Sequence, residues 1–362
     1  MRRPAAVYRK RKARIAARAF PAENGGRNPP EQGKLRVNFG TNFDRPGRGP
    51  EGPPVRIEDF FMADIIQGLI FDGAVSATVL KTTDMVNTAV RLHGLSPLAA
   101  AALGRTLTAT AFLGLSLKNP TNKLSVTVRG GGPLGNIVTA CDAGLHLRGY
   151  VDRPDCDLPL KRPGKLDVGA GVGKEGTLTV IKDLGLKEPF SARSPLVSGE
   201  IAEDFALYFT QSEQTPSAVA LGVLMGRTGK CRAAGGVILQ PLPFCPEETL
   251  KKTEELVPRL SDVSRLFAGK SPREAAEALF SDCGLQILSE RKAAFRCNCS
   301  RARIAGLLRG IRPEELETMF REDGRIEVVC HFCGKKYLFT SPDELSGSRP
   351  QRRPPKESAC RT

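Results

Sequence analysis

Two short cysteine motifs, CNC at residues 297–299 and CHFC at residues 330–333, decide how the C-terminal part of this 362-residue chain folds. Thirty residues separate them. Four thiolates carried by two tight turns form a closed tetrahedral zinc site, with Zn–S distances of about 2.3 Å. The sequence therefore predicts one Zn2+ per chain, bound by Cys297, Cys299, Cys330 and Cys333.

The residues beside the second motif support this prediction. Gly334 follows Cys333 directly, at a position where the turn commonly needs a residue that tolerates a positive φ. His331 lies inside the motif, but four thiolates already complete the coordination of zinc. We therefore expect His331 to be exposed and not to be a ligand.

The cysteine site has two interpretations: a permanent zinc ribbon, or a site that oxidation opens. Three chemical arguments favour the second. A disulfide closed across one or two residues is strained and easily reduced. Zinc keeps the sulfurs as thiolates, the form that peroxide attacks. Structural zinc can supply about 10–16 kcal/mol of apparent folding free energy, so its loss should unfold a small unit.

The residues around the two motifs predict a small folded unit over residues 297–342. The pattern predicts a strand before CNC, helices at 301–309 and 313–322, a hairpin turn at Asp323-Gly324, and strands in RIEVVC and KYLF. Units of this size rarely hold together by a hydrophobic core alone. The basic, proline-rich end, residues 343–362, is predicted to be disordered.

Short charged helices fill residues 244–296. One is expected from Pro246 to Pro258, another from Ser261 to Gly269, and a third opens at Ser271-Pro272-Arg273-Glu274, which has the spacing of a capping box. Each is shorter than the roughly 12–15 residues at which an isolated helix becomes marginal. We therefore predict a metastable helical linker that keeps its shape only by docking. Its apolar faces contain Leu250, Val257, Leu260, Val263, Leu266, Phe267, Leu279 and Phe280.

The middle of the chain, residues 58–243, is predicted to be an N-terminal domain of antiparallel sheets with helices. Alternating patterns predict half-buried strands at 74–80, 124–128, 136–140 and 145–151. Helices are predicted at 83–93, 97–117 and 198–209, the second opened by Ser96 as N-cap and Pro97 as its first residue. Strand hairpins interleaved with a few helices indicate the α+β class.

Composition and charge restrict the function classes. The stretch Leu98–Leu117 contains Arg105 and several Thr and Gly residues, too polar for a membrane span. Of the net charge of +15, residues 1–57 carry +10, so the rest of the chain gives no reason to expect a DNA-binding face. Residues 1–57 are predicted to be a disordered basic tail, either a nucleic-acid arm, an organellar transit peptide or a plain extension.

Ten cysteines without a signal-peptide core indicate a reducing compartment. The cytoplasm is therefore expected, or an organelle if the basic tail is a transit peptide. The six cysteines outside the motifs are expected to be mostly small, buried or inert residues, although two lie in or beside the linker. They are Cys141, Cys156, Cys231, Cys245, Cys283 and Cys360.

Three other functions compete with an oxidation-sensitive zinc site. A phosphate-binding loop fails because Gly173-Lys174 is followed by Glu175 and position 168 is Val. A zinc-ribbon nucleic-acid binder would show salt-sensitive affinity without oxidant. A zinc hydrolase or oxidoreductase would need an open coordination position and a nearby base, and four Cys with only three His argue against it.

The motifs together resemble the heat shock protein 33 family of redox-regulated chaperones. The resemblance rests on CNC and CHFC, preceded by a strand ending in FRC, and on four upstream stretches. These are RGGGPLGNIV (129–138), KLDVGAGVGKEGTLTVIKDLGLKEPF (165–190), LVSGEIAEDFALYFTQSEQTPSAVALGVL (196–224) and AAGGVILQPLP (233–243). It covers residues 66–345, and the two basic ends and the six further cysteines depart from it.

This resemblance implies a mechanism and no enzymatic activity. The reduced, zinc-bound form would be inactive; peroxide or hypochlorous acid under unfolding conditions would pair Cys297 with Cys299 and Cys330 with Cys333. The metal would be released and the linker would unfold. The protein would then hold unfolding client proteins without ATP, as a dimer. Neither a membrane nor a specific nucleic acid is implied as a partner.

Overall fold

The computed structural model describes residues 62–345. The predictions for the basic tail at 1–57 and for Cys360 lie outside the described residues. Within the described part the protein is an α+β fold, as predicted: a large sheet with helices, a helical linker and a small C-terminal unit. The helices of this part include none that is both long and apolar enough to cross a membrane.

The larger domain begins with two antiparallel strands and two helices and continues with strand hairpins. Its elements are β1 (Met62–Ile70), β2 (Val75–Lys81), α1 (Thr83–His93), α2 (Pro97–Gly114), β3 (Lys123–Arg129), β4 (Ile137–Asp142), β5 (His146–Val151), α3 (Val168–Val172), β6 (Thr177–Asp183), β7 (Phe190–Pro195), α4 (Ala202–Gln211), β8 (Ala218–Met225) and β9 (Cys231–Pro241). The predicted strands and helices are found within a few residues of their expected limits.

The linker contains the predicted short helices. They are α5 (Glu247–Leu256), a 3-10 turn (Val257–Leu260), α6 (Val263–Leu266), α7 (Pro272–Phe280) and a second 3-10 turn (Ser281–Cys283). The capping box of α7 is formed: the Ser271 hydroxyl accepts a hydrogen bond from the Glu274 N–H at 3.2 Å, and the Glu274 carboxylate accepts one from the Ser271 N–H at 2.7 Å. Ser261 does not cap α6, which begins after Asp262.

The end of the predicted linker is a strand of the large sheet. The strand expected just before CNC is β10 (Gln286–Phe295), longer than predicted. It runs antiparallel to β1 from Met62 opposite Ala294 to Leu69 opposite Gln286. Ser289 and Gln67, which face each other here, are 222 residues apart in sequence, a separation at which local patterns carry no pairing information. In sequence, the linker helices therefore lie between β9 and β10, which are two strands of the same sheet.

The ten strands are ordered β7-β6-β3-β4-β5-β10-β1-β2-β9-β8. Two antiparallel halves meet at a short parallel pairing, in which Ala294 and Phe295 of β10 lie opposite His146 and Leu147 of β5. Antiparallel pairing is predicted, and among the strands of residues 62–345 this parallel junction is the exception. β10 is thus the strand that joins the two halves.

Helix α2 is the centre of the main core. Fifteen of its 18 residues are buried, among strands from both sheet halves. It begins as predicted, with the Ser96 hydroxyl accepting a hydrogen bond from the Ala99 N–H at 3.0 Å and Pro97 as first residue. Burial on all sides explains its apolar, small-residue sequence.

The glycine-rich stretch around Gly173, which lacks the pattern of a phosphate loop, packs against a second glycine-rich stretch at residues 129–135. The backbone N–H of Gly132 donates to the Val172 carbonyl at 2.9 Å, and that of Leu134 donates to the Gly171 carbonyl at 3.0 Å. A Cβ at Gly130 would lie 2.3 Å from the Val172 oxygen. Glycine is therefore required here for a close backbone approach within the fold.

The C-terminal unit contains two helices and one two-stranded sheet. Its elements are α8 (Arg301–Leu308), α9 (Pro313–Asp323), β11 (Ile326–Val329), β12 (Lys336–Phe339) and a 3-10 turn (Pro342–Leu345). Asp323-Gly324 is not a hairpin turn: Gly324 ends α9 with φ 65°. Leu345, at the end of the last 3-10 turn, is 3% exposed and belongs to the core of this unit, whose predicted limit at 342 stays a prediction.

Candidate metal centre

Four cysteine sulfurs meet in the C-terminal unit, and they are the four predicted from the motifs. The Sγ atoms of Cys297, Cys299, Cys330 and Cys333 all lie within 4.8 Å of one another. Two sulfur–sulfur contacts join the two motifs, 3.7 Å from Cys297 to Cys330 and 3.4 Å from Cys299 to Cys333. Sulfurs around a tetrahedral zinc with bonds of about 2.3 Å would lie roughly 3.8 Å apart. The four residues are therefore positioned to bind a metal ion.

The second motif forms the turn between β11 and β12. The Gly334 and Cys333 N–H groups both donate to the Cys330 carbonyl, at 2.8 and 3.3 Å, and the Cys330 N–H donates to the Lys335 carbonyl at 2.9 Å. Gly334 has φ 70°, as its place after the motif predicts. This turn holds both thiols of CHFC on one side of the hairpin end.

The first motif follows directly from the large sheet. The Arg296 N–H, one residue before Cys297, donates to the Leu147 carbonyl of β5 at 2.7 Å. On the other side, the Ser300 hydroxyl accepts a hydrogen bond from the Arg303 N–H at 3.2 Å and caps α8. Cys297 and Cys299 are therefore held between the end of β10 and the start of α8.

Four sulfurs at these distances share protons and cannot all be thiolates without a cation. Hydrogen bonding from the Cys333 thiol lowers the pKa of Cys297 to about 5. The same hydrogen bond raises the pKa of Cys333, and burial raises the pKa of Cys330. A divalent cation among the sulfurs would remove this conflict, because metal ligation requires the thiolate form.

Tyr337 on β12 is a further polar group of the site. Its hydroxyl donates to the Cys299 sulfur at 3.0 Å, and the residue is 5% exposed. Burial raises the pKa of Tyr337, which keeps the hydroxyl protonated as a donor. No motif identifies this residue. Its only sequence signal is the aromatic position in the strand KYLF after CHFC.

The core of the C-terminal unit is small. Its fully buried residues are Ile304, Ala305, Leu308, Ile326, Cys330, Tyr337, Phe339 and Leu345. One of the four site cysteines, Cys330, is thus part of this core. At the surface the Arg301 guanidinium lies 4.4 Å from the centre of the Phe339 ring and pairs with Glu344. So few buried side chains are typical of a unit that a bound metal holds together.

The CHFC turn packs against the larger domain. The Phe332 ring lies 5.3 Å from that of Tyr150 on β5, edge to face, and 5.2 Å from the Arg148 guanidinium. His331 is exposed, as predicted, with its ring 5.5 Å from Tyr150. Burial lowers the pKa of His93 at the end of α1, beside the backbone of Phe332. No local pattern indicates this contact, because its two sides are distant in the chain.

The remaining described cysteines lie away from the sulfur cluster. Cys141, Cys231, Cys245 and Cys283 are buried, and Cys156 is half-buried. Burial raises the pKa of Cys141 and of Cys231 to about 12, and that of Cys283 to about 11. Burial of these thiols agrees with the expectation that they are small apolar residues with little reactivity.

Comparison with known proteins identifies the family. A family model described as Hsp33 protein matches residues 64–340. The chain belongs to the Hsp33 family. The 33 kDa chaperonin of Staphylococcus haemolyticus is 42% identical over 280 residues, which is 77% of this chain and 95% of that protein, and the same values hold for a Staphylococcus aureus relative. These names describe chaperones, a role that is not enzymatic, in agreement with the prediction.

A solved Hsp33 structure has the same fold. The crystal structure of the 33 kDa chaperonin (heat shock protein 33 homolog) of Thermotoga maritima matches with a TM-score of 0.70 and 36% identity. The match covers 78% of this chain and 96% of that one. The resemblance inferred from the motifs is therefore confirmed over nearly the whole described part of the chain.

Proposed function

We propose that this chain is a redox-regulated, ATP-independent holdase that binds unfolding proteins under oxidative stress and heat. The observation that carries the proposal is the cluster of four sulfurs, mutually within 4.8 Å, in a unit with a very small core. Such a unit depends on its metal, and its metal depends on reduced sulfur. Family membership supports the chaperone role.

Zn2+ is the metal that fits these residues best. Four thiolates in tetrahedral arrangement are typical of structural zinc or of iron–sulfur centres, and iron would be seen by its colour. When bound, zinc cross-links the two motifs and keeps Cys297, Cys299, Cys330 and Cys333 as thiolates. Tyr337 supports this arrangement by its hydrogen bond to Cys299.

Oxidation is proposed to pair neighbouring cysteines, as the family resemblance implies: Cys297 with Cys299 and Cys330 with Cys333. Each pair of thiols reacts with one molecule of hydrogen peroxide through a sulfenic acid, giving one disulfide and two molecules of water. In the reduced structure all four sulfurs lie within 4.8 Å of one another, and contacts of 3.7 and 3.4 Å join sulfurs of different motifs. The pairing therefore stays a prediction that peptide mapping must test.

Strand β10 is proposed to carry the signal from the sulfurs to the linker. Only its last three residues, Ala293–Phe295, are buried, and they lie beside Arg296 and Cys297. The preceding residues pair with β1 alone, since the β5 pairing involves only Ala294 and Phe295. Loss of the fixed C-terminal end would let β10 separate from β1 from Phe295 toward Gln286. The linker would then lose its second attachment.

The linker itself is proposed to be metastable. Its first half, from Glu254 of α5 through the following 3-10 turn, borders a cavity of about 760 Å3 that is partly open to solvent and that α4 and β8 line on the other side. A cavity of this size removes the packing contacts that would stabilise these short helices. Unfolding of the linker exposes its apolar face and the sheet face beneath it, and exposed apolar surface binds partly unfolded chains.

One experiment tests the redox switch. Reduced, zinc-loaded protein is treated with peroxide at raised temperature while a chromogenic chelator reports zinc and light scattering reports aggregation of a denatured client. We expect about one zinc per chain to be released as holding activity appears. A Cys297→Ser, Cys333→Ser double variant should lose the oxidant dependence, whereas Cys156→Ser, outside the site, should behave as the parent. Retention of zinc by the activated protein contradicts the proposal.

Two further proposals follow from the family resemblance. The oxidised protein is proposed to form a homodimer, which sedimentation of the reduced and oxidised forms at one concentration would test. The location is proposed to be the cytoplasm, because four cysteines grouped as metal ligands suit a reducing compartment. Microscopy of a tagged full-length chain tests the location, including the alternative that residues 1–57 direct it to an organelle.

A further inference from the structure

Strands β8 and β9 are apolar on both faces. One face packs on the main core through residues such as Leu221 and Ile238. The other packs on the linker and consists mainly of small residues: Ala218, Ala220, Gly222 and Leu224 of β8, and Ala233, Gly235, Val237 and Leu239 of β9. Antiparallel sheets often expose one face to water, so a second apolar face needs a cover. The linker is that cover.

Two glycines make a recess in this second face. A Cβ at Gly235 would lie 2.4 Å from the ring of Phe267. A Cβ at Gly222 would lie 2.8 Å from the Ser264 backbone nitrogen and 2.9 Å from the Val263 side chain. All three distances are shorter than real Cβ atoms allow. Only glycine at these positions lets α6 and Phe267 approach the sheet.

Phe267 fills this recess. Its side chain is 1% exposed, in a linker cluster that also contains Val263 and Val237. Just beyond it the Lys81 ammonium donates to the Lys270 carbonyl at 2.7 Å, which fixes the chain after the aromatic residue. The neighbouring Leu266 is only partly buried. The recess therefore receives one aromatic ring, that of Phe267, which Leu266 precedes and Ala268 follows in the chain.

We propose that the recess over Gly235 is a client-binding subsite for an aromatic side chain, and that Phe267 occupies it in the reduced protein as an internal substitute. This inference rests on the proposed function, because the recess opens only when the linker leaves. The occupant in the active protein is an unfolded segment with an aromatic residue among small or apolar neighbours. Folded proteins bury most of their aromatic residues, so the subsite distinguishes unfolded chains from folded ones.

The segment that fills the recess supplies the probe. A fluorescent peptide with the sequence of residues 260–270, LSDVSRLFAGK, is titrated with the oxidised full-length protein. Replacement Phe267→Ala in the peptide should weaken binding about tenfold or more, since it removes the buried ring. Leu266→Ala in the peptide is the matched control and should change binding by less than about threefold, because Leu266 is only partly buried.

Two variants of the protein test whether the peptide binds in the recess. Gly235→Ala adds a methyl group where the ring sits, and should abolish the preference for the parent peptide over its Phe267→Ala version. Gly222→Ala adds the same group on the same face but meets only Val263 and Ser264 of the linker among its nearest atoms, so it should keep the preference. The Gly235 methyl would also lie 2.2 Å from the Leu80 carbonyl oxygen; thermal unfolding therefore checks that this variant folds.

The outcomes separate this inference from the proposed function. An oxidised protein that suppresses client aggregation but binds the parent and Phe267→Ala peptides equally overturns the subsite and leaves the holdase intact. A protein that neither suppresses aggregation nor binds any peptide overturns the proposed function. The wild-type peptide comparison decides the question even if Gly235→Ala does not fold.

Discussion

The surroundings of each sulfur set its chemistry. In the cluster, hydrogen bonding between sulfurs lowers the pKa of Cys297 to about 5, whereas burial raises that of Cys141 and Cys231 to about 12. Because the thiolate is the reactive form, Cys297 is expected to react far more readily than Cys141 or Cys231. The surroundings of each cysteine, and not the number of cysteines, set its reactivity: Cys330 is buried as well, but it lies beside the three other sulfurs of the cluster.

Alkylation should show that the buried cysteines outside the cluster, Cys141 and Cys231, are unreactive. At pH 8 a thiol with a pKa near 12 is ionised in only about one molecule in ten thousand, so Cys141 and Cys231 should resist iodoacetamide in the reduced, zinc-loaded protein. Raising the pH toward 12 should increase their reactivity, because the thiol then ionises. Mass spectrometry of digested protein measures this, with guanidinium-unfolded protein as the fully reactive control. Complete modification of Cys141 in native protein at pH 8 would show the burial argument to be wrong.

Removal of the Tyr337 hydroxyl tests whether its hydrogen bond to Cys299 strengthens metal binding. Tyr337→Phe keeps the ring but loses the hydrogen bond to Cys299, and groups in this position typically contribute about 10–100-fold to metal affinity. We expect zinc binding to weaken within that range, measured by competition with a chromogenic chelator. Tyr150→Phe, which keeps the ring contact with Phe332, is the control. Equal affinity of both variants and the parent would remove Tyr337 from the site.

At the scale of elements, the two halves of the linker differ in how closely they pack on the larger domain. Helix α6 sits tightly on glycines of β8 and β9, whereas α5 and the next turn stand over the cavity. Short helices gain most of their stability from packing. The first half of the linker should therefore be the less stable half, and its opening should limit activation.

Filling the cavity should slow activation. Ala206 on α4 lines it, and Ala206→Leu should stabilise the closed linker by about 1 kcal/mol, which corresponds to roughly fivefold slower activation at fixed peroxide and temperature. The rate is measured as the gain of holding activity with time. Gln211→Leu adds apolar surface on an exposed position of the same helix and should leave the rate unchanged. Faster activation of Ala206→Leu would contradict the packing argument.

At the scale of the whole molecule, one strand connects three parts. β10 joins the two sheet halves, follows the linker helices and leads into the first cysteine motif. The CHFC turn also rests on β5 through Phe332 and Tyr150. A change at the sulfurs can therefore reach the linker along the backbone, without a contact between the metal unit and the linker helices.

Hydrogen exchange should follow this connection. Under reducing conditions a strong chelator should remove amide protection from residues 297–345 and, with it, from β10, while β3 and β4 stay protected in the other sheet half. The same chelator saturated with zinc is the control. Continued protection of β10 after complete metal removal would mean that the signal takes another route.

Local features were predictable because neighbours in sequence create them. The Ser96 cap, the capping box at Ser271 and the positive φ of Gly334 each depend on residues within a few positions. The error at Asp323-Gly324 has the same origin, since a glycine after an acidic residue suits both a hairpin turn and a helix end. Strand length before CNC was underestimated because its alternation is weak until the final buried residues.

By itself, the sequence determined the four-sulfur site, the order of the elements and the family, because cysteine spacing and local periodicity encode them directly. Only the tertiary structure decided that β10 belongs to the large sheet, that CHFC rests on β5, and that the linker covers a second apolar face of β8 and β9. The signal for that face was present in AVALGVLM and AAGGVILQP, which are apolar at nearly every position. Which surface covers such a face depends on contacts between residues distant in the chain, and no local pattern records them.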